Sequence, residues 1–113
     1  IAKNATSIPK TITKMAEDTV TMVTESVDSF VKSDLELCRN VIRNDDLVDD
    51  AFNEIKSKLA DMIYGGNLDA KTGLDLLMTA KYFERIGDHA VNIAEWVEYS
   101  ITGVHRNNEH QNN

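Results

Sequence analysis

The sequence predicts an all-α fold, an antiparallel three-helix bundle that occupies residues 1–103. Apolar residues recur at steps of three and four along three stretches, which is the period of an amphipathic helix. A single proline in 113 residues leaves those stretches free to stay helical. Glycines follow the second and third stretches, where helices commonly end. These three observations favour long helices joined by short turns.

The first helix is expected to begin at about Ser7 and to end near residue 32. Pro9 then falls in the first turn, where proline is tolerated because its missing N–H would have no partner inside the helix. One apolar stripe runs along this helix. It consists of Ile12, Met15, Ala16, Val23, Val27 and Phe30.

The second helix is expected to follow a capping box that extends from Ser33 to Glu36, with Ser33 as the cap. It continues to about Tyr64, and we expect a kink near Asn44. The glycine pair that begins at Gly65 ends it, because glycine accepts the left-handed backbone that closes a helix.

The third helix is predicted to be capped by Asp69 and to end before Gly103. We expect residues 104–113, which are polar, to form a disordered tail. The apolar arc of this helix consists of Ala80, Phe83, Ile86, Ala90, Val91, Ile93, Ala94, Val97 and Ile101.

Two further features of the third helix predict contacts. Gly87 lies inside the apolar arc, where glycine costs about 1 kcal/mol relative to alanine, so we expect a neighbouring helix to approach closely there. Trp96 and Tyr99 lie away from the arc. They would contact either a partner helix or the first helix of the bundle.

Composition argues against several classes of function. The net charge of −7, from 19 acidic and 12 basic residues, is unlike that of nucleic-acid binders and of proteins that adhere to anionic lipid. Cys38 is the only cysteine, which excludes a disulfide within the chain and a zinc cluster of thiolates. No apolar run approaches the ~20 residues that span a bilayer. We therefore expect a cytoplasmic protein that meets membranes only through partners. Because the sequence starts at Ile1, we interpret it as part of a longer chain.

Two acidic pairs lie at equivalent edges of the second and third helices. On a wheel at about 100° per residue, Glu84 and Asp88 border the apolar arc of the third helix. Asp45 and Asp49 border that of the second, whereas Asp46 points away into solvent. Packing thus places four carboxylates at one edge shared by two helices.

The acidic edge has two interpretations. Four carboxylates in one place repel one another, so either their pKa values rise or a cation neutralises them. Carboxylate oxygens are hard ligands that suit Mg²⁺, Mn²⁺, Ca²⁺ and iron. Alternatively, the acids stay solvated or form weak ion pairs with nearby bases such as Lys81 and Arg85. The spacing alone leaves both interpretations open.

The third helix also resembles the signature helix of the PhoU family, the accessory and regulatory proteins of phosphate transport. The similar segment is AKYFERIGDHAVNIAE, residues 80–95. Upstream, RNDDLVD at residues 43–49 is similar to the family's other acidic motif. The resemblance covers about residues 8–103, and the chain looks like the C-terminal one of the family's two three-helix units.

The resemblance implies a metal site. In the family, paired acidic motifs bind multinuclear iron or zinc clusters in some members and Mg²⁺ or Mn²⁺ in others. The residues that match the metal-binding positions are Asp45, Asp49, Glu84 and Asp88. Asn92 and Glu95 also match the signature and would support the ligands rather than bind the metal directly.

The resemblance further implies a regulator of phosphate uptake that represses the phosphate-starvation response. Its implied partners are the ATPase subunit of the phosphate ABC transporter, a phosphate-sensing histidine kinase and a second copy of the chain in a homodimer. The alternative is a structural helical adaptor for another phosphate transporter, with solvated acids and no metal. A catalytic di-metal bundle is disfavoured, because no Glu is followed by His three positions on. We therefore do not expect an enzyme.

Overall fold

Three long α-helices, and no strand, make up residues 2–103, which are the residues that the computed structural model describes, with side chains from residue 8 onward. The helices are α1 (Ala2–Lys32), α2 (Leu35–Tyr64) and α3 (Ala70–Thr102). Each helix packs against the other two. The predicted all-α three-helix bundle is therefore confirmed, whereas the predicted disorder of residues 104–113 lies outside the described residues.

α1 begins earlier than the sequence suggested. It extends from Ala2, so Pro9 lies inside the helix and not in its first turn. A proline there removes one backbone hydrogen bond and crowds the preceding turn. Ile8, which is only 1% exposed, packs in the core beside it. The prediction was wrong because it considered the proline alone, whereas burial of the adjacent side chain helps to hold the turn in place.

The cap of α2 is Asp34 and not Ser33. The Asp34 carboxylate accepts a hydrogen bond of 3.1 Å from the Leu37 N–H, as an N-cap residue does. Ser33 has a φ of 50°, a left-handed conformation that an N-cap residue does not adopt. α2 then continues without interruption through Asn44, where we expected a kink.

The predicted ends of α3 are confirmed. The Asp69 carboxylate accepts a hydrogen bond of 3.1 Å from the Thr72 N–H. Hydrogen bonds from Thr72, first from its side chain and then from its backbone, lower the pKa of Asp69. At the other end Gly103 has a φ of 78° and donates its N–H to the Tyr99 carbonyl at 2.7 Å. The glycine pair also ends α2 as predicted, with a φ of 77° at Gly66.

The core lies where the three helices meet. It consists of Ile8, Met15, Met22, Cys38, Val41, Val48, Ile55, Leu59, Met62, Ala80, Ala90, Ala94 and Val97. α3 contributes mainly alanines, so the larger side chains of α1 and α2 pack closely against its backbone. None of the helices in this part of the chain has an apolar stretch long enough to cross a bilayer.

The apolar stripes are wider than the faces that the bundle covers. Val27 and Phe30 of α1 are 48% and 69% exposed, although we expected both to face the core. Ile86, Ile93 and Ile101 of α3 are also exposed. Each helix has only two neighbours here, so part of each apolar stripe faces solvent.

Gly87 is buried, as its position in the apolar arc suggests, but an alanine would also fit there. A Cβ built at this glycine would lie 3.6 Å from Val48 Cγ1 and 3.7 Å from Met22 Sδ, which are ordinary contact distances. The expected tight approach of a neighbouring helix is therefore absent at this position.

Candidate metal centre

The contact between Val48 and Gly87 brings the acidic pairs to the same level of the bundle. Both residues are buried where α2 and α3 meet. Asp49 follows Val48 directly and Asp88 follows Gly87 directly, so both acids lie at the edge of this contact. Residues four apart lie one turn apart on the same helix face, so Asp45 lies beside Asp49.

Three of the four predicted carboxylates come together. One oxygen from each of Asp45, Asp49 and Asp88 lies within 4.8 Å of the other two. Asp45 and Asp49 are half-buried, whereas Asp88 is exposed. We call this group the three-carboxylate cluster. Asn92 is exposed and Glu95 is half-buried, and Glu95 does not belong to the cluster.

Asp45 is in the least favourable environment of the three. Burial, followed by the negative charges of Asp49 and Asp88, raises the pKa of Asp45 from 3.8 to about 6. Its Oδ1 is buried and, alone among the buried side-chain N and O atoms of the described residues, has no hydrogen-bond partner. A buried polar atom without a partner costs about 1–3 kcal/mol, so this oxygen favours a proton or a cation.

The pKa of Asp49 is also raised. Burial raises its pKa, and the negative charges of Glu84 and Asp88 and a hydrogen bond with Glu84 raise it further. In the part of the chain that the structure describes, no Lys or Arg forms an ion pair with any member of the three-carboxylate cluster. The solvated interpretation allowed weak ion pairs with nearby bases, and the described residues form one at this edge, between Lys81 and Glu84, outside the cluster.

Glu84 lies beside the cluster but is not part of it. Its side chain is 13% exposed, and Oε1 accepts a hydrogen bond from Lys81 Nζ. The same ammonium lies 5.1 Å from the centroid of the Phe52 ring on α2. The spacing of Lys81 and Glu84 suggested their ion pair, but only the structure reveals the contact with α2.

The donor set fits a hard divalent cation. Such ions bind carboxylate oxygens at about 2.0–2.6 Å, so two ligand oxygens on opposite sides of one ion are up to about 5 Å apart. The oxygens of the three-carboxylate cluster lie within 4.8 Å of one another. Asp45, whose Oδ1 is buried without a hydrogen-bond partner, is one of the three donors. All three donors are carboxylates, which suit Mg²⁺, Mn²⁺, Ca²⁺ or iron better than zinc.

Sequence reasoning missed a buried acid outside the cluster. Glu98 is 4% exposed and accepts a hydrogen bond of 3.0 Å from Arg39 Nε, which links α3 to α2. The available signal was its position four residues after Ala94, on the buried face of α3.

Burial, followed by the charge of Glu98, raises the pKa of the buried Cys38 thiol. Cys38 is therefore a protonated core residue and not a reactive thiolate.

Comparison with known proteins identifies the family. The model of the PhoU domain matches residues 12–97, a range that includes both acidic pairs. Among curated relatives, phosphate-specific transport system accessory protein PhoU homolog 1 of Thermotoga maritima is 32% identical over 94 residues, which cover 83% of this chain and 40% of the relative. PhoU homologs of Caulobacter vibrioides and of a Burkholderia species are 32% and 33% identical, over 86% and 75% of this chain and 42% and 36% of their own lengths.

The match is to part of each relative. The chain spans about two fifths of the length of these curated proteins. No solved structure matches it significantly. The family model nevertheless covers most of the chain, from Ile12 to Val97. This chain belongs to the PhoU domain family.

Proposed function

We propose that this chain is a regulatory domain of a phosphate transport system and that its three-carboxylate cluster binds a divalent metal ion. The observation that carries the metal proposal is Asp45 Oδ1, a buried oxygen that lacks a partner and lies among other acids. The acids around Asp45 create a negative potential at this oxygen that a proton or a cation relieves. Iron, Mn²⁺ and Mg²⁺ suit the donor set, and zinc remains a candidate through the family resemblance alone.

The bound ion would have a structural consequence. Asp45 and Asp49 belong to α2 and Asp88 to α3, so one cation in the three-carboxylate cluster would link the two helices. A ligand that binds only the folded chain stabilises it in proportion to the logarithm of its concentration. Metal binding would thereby couple cation supply to the rigidity of the α2–α3 edge.

The transport role rests on the relatives, whose names describe accessory proteins of phosphate-specific transport systems. On this basis the domain acts with a phosphate transporter. Its action in the cytoplasm and its contact with the ATPase subunit of an ABC transporter follow from the family resemblance. The sensor histidine kinase, repression of the starvation response and homodimer formation follow from the family resemblance. The domain is an accessory protein and not an enzyme. Co-purification of the tagged chain with the ATPase subunit and the kinase is expected, and failure with both would contradict this role.

Equilibrium dialysis against Mn²⁺ with elemental analysis tests the metal site. The wild-type chain is expected to retain Mn²⁺, and Asp49→Asn is expected to weaken its binding at least about tenfold, because one of three ligands loses its charge. Asp46→Asn is the matched control, since Asp46 is an exposed acid on the same helix. It is expected to bind Mn²⁺ within about twofold of the wild type.

The outcomes separate the proposal from the structural adaptor. Equal Mn²⁺ content in the wild type and Asp49→Asn would contradict a site in the three-carboxylate cluster. In a metal-loaded sample, chelator is expected to lower the melting temperature, because it removes the contribution of the bound ligand to stability. An unchanged melting temperature would favour the adaptor, whose acids hold no cation.

A further inference from the structure

Glu84 differs from the three carboxylates of the cluster because it forms an ion pair with a lysine. It is close enough to Asp49 for its charge and a hydrogen bond to raise the pKa of Asp49. Yet it does not belong to the three-carboxylate cluster. Instead Lys81 Nζ donates a hydrogen bond to Glu84 Oε1. The fourth carboxylate therefore has a cation of its own, supplied by the chain.

Lys81 is itself held in position. Its ammonium lies 5.1 Å from the centroid of the Phe52 ring, a distance at which a cation is attracted to the face of an aromatic ring. Phe52 belongs to α2 and packs against the core, whereas Lys81 and Glu84 belong to α3. The Lys81 ammonium therefore contacts both of the helices that supply the three-carboxylate cluster.

We propose that Lys81 is a positioning residue that holds Glu84 and competes with divalent cations for it. This inference rests on the proposed metal function, because it requires the three-carboxylate cluster to bind a cation. A cation that recruits Glu84 as a ligand must first displace the Lys81 ammonium. Lys81 therefore weakens metal binding and keeps the bound ion exchangeable.

Lys81→Met tests this inference, because methionine retains an apolar stem over Phe52 and removes the charge. In a calorimetric titration with Mn²⁺ at fixed ionic strength, Lys81→Met is expected to bind about three- to tenfold more tightly than the wild type. Lys58→Met is the control. Lys58 pairs with Glu54 at 3.4 Å on α2, about two and a half turns from Asp49, and its loss changes the net charge equally. It is expected to alter the Mn²⁺ affinity by less than about twofold.

A second comparison asks whether Lys81 acts through Glu84. In a Glu84→Gln background, Lys81→Met is expected to change the Mn²⁺ affinity by less than about twofold, because the carboxylate for which it competes is gone. A gain as large as in the wild-type background would overturn the inference. Thermal melting without metal checks that all variants fold.

The remaining outcomes are also decisive. Unchanged or weaker Mn²⁺ binding by Lys81→Met, with binding by the wild type intact, would overturn the inference and leave the proposed metal function standing. An equal gain in Lys58→Met would reduce the effect to net charge and would also overturn it. No Mn²⁺ binding by either the wild type or Lys81→Met would overturn both the inference and the metal function.

Discussion

Glu98 and Asp45 both place carboxylate oxygens inside the contact between α2 and α3, but their surroundings are opposite. Glu98 accepts a hydrogen bond of 3.0 Å from Arg39, which lies six residues before Asp45 on α2. Asp45 has two acids as its nearest charged neighbours and a buried oxygen without a partner. One acid is matched by a base of the chain, and the other is not.

The difference shows which of the two acids stabilises the fold. A guanidinium neutralises Glu98, so the pair joins two helices and leaves no net charge in the contact. At Asp45 the neighbouring charges have the same sign, so the folded state is less favourable with the acid ionised. Packing alone does not require an aspartate there, which is why a function outside the fold is the better explanation of Asp45.

Replacing Arg39 is expected to have the largest effect on stability. Arg39→Met leaves Glu98 without its guanidinium and should lower the free energy of unfolding by about 1–2 kcal/mol. This is less than for a fully buried pair, because the Arg39 side chain is 46% exposed. Urea denaturation measures the change, and Mn²⁺ should not restore the loss. Arg85→Met, at an exposed position on α3, is the control and should change stability by less than about 0.5 kcal/mol. Equal effects of the two substitutions would show that the Glu98 pair contributes nothing particular to the fold.

Local signals explain why most of the fold was predictable. The caps at Asp69 and Gly103 depend on a carboxylate three residues before an amide and on a left-handed glycine, and both patterns are visible in the sequence. Errors arose where packing at a distance decides. The start of α1 depends on burial beside Pro9, and exposure of Phe30 depends on how much of α1 two neighbouring helices cover.

The candidate site, too, was predictable from the sequence only in part. The helical wheel was sufficient to place Asp45 and Asp88 at a shared edge, since both follow from the period of one helix and the direction of its apolar face. It could not separate Glu84 from the three-carboxylate cluster. That distinction depends on Lys81 and its contact with Phe52 on another helix, which no spacing within one helix reveals.

The pH dependence of stability tests the comparison of Asp45 with Glu98 through a smaller effect that is specific to Asp45. Asp45 has a pKa of about 6 in the folded chain, against 3.8 as the ordinary value. The folded state therefore binds more protons than the unfolded state between these values, so stability rises as the pH falls through 6. Without metal, acidification from about pH 7 to about pH 5 is expected to add about 1 kcal/mol to the free energy of unfolding. In Asp45→Asn most of this gain should disappear, and an undiminished gain would assign it to other groups. With Mn²⁺ present the trend should reverse, because protons then compete with the cation for the same oxygens.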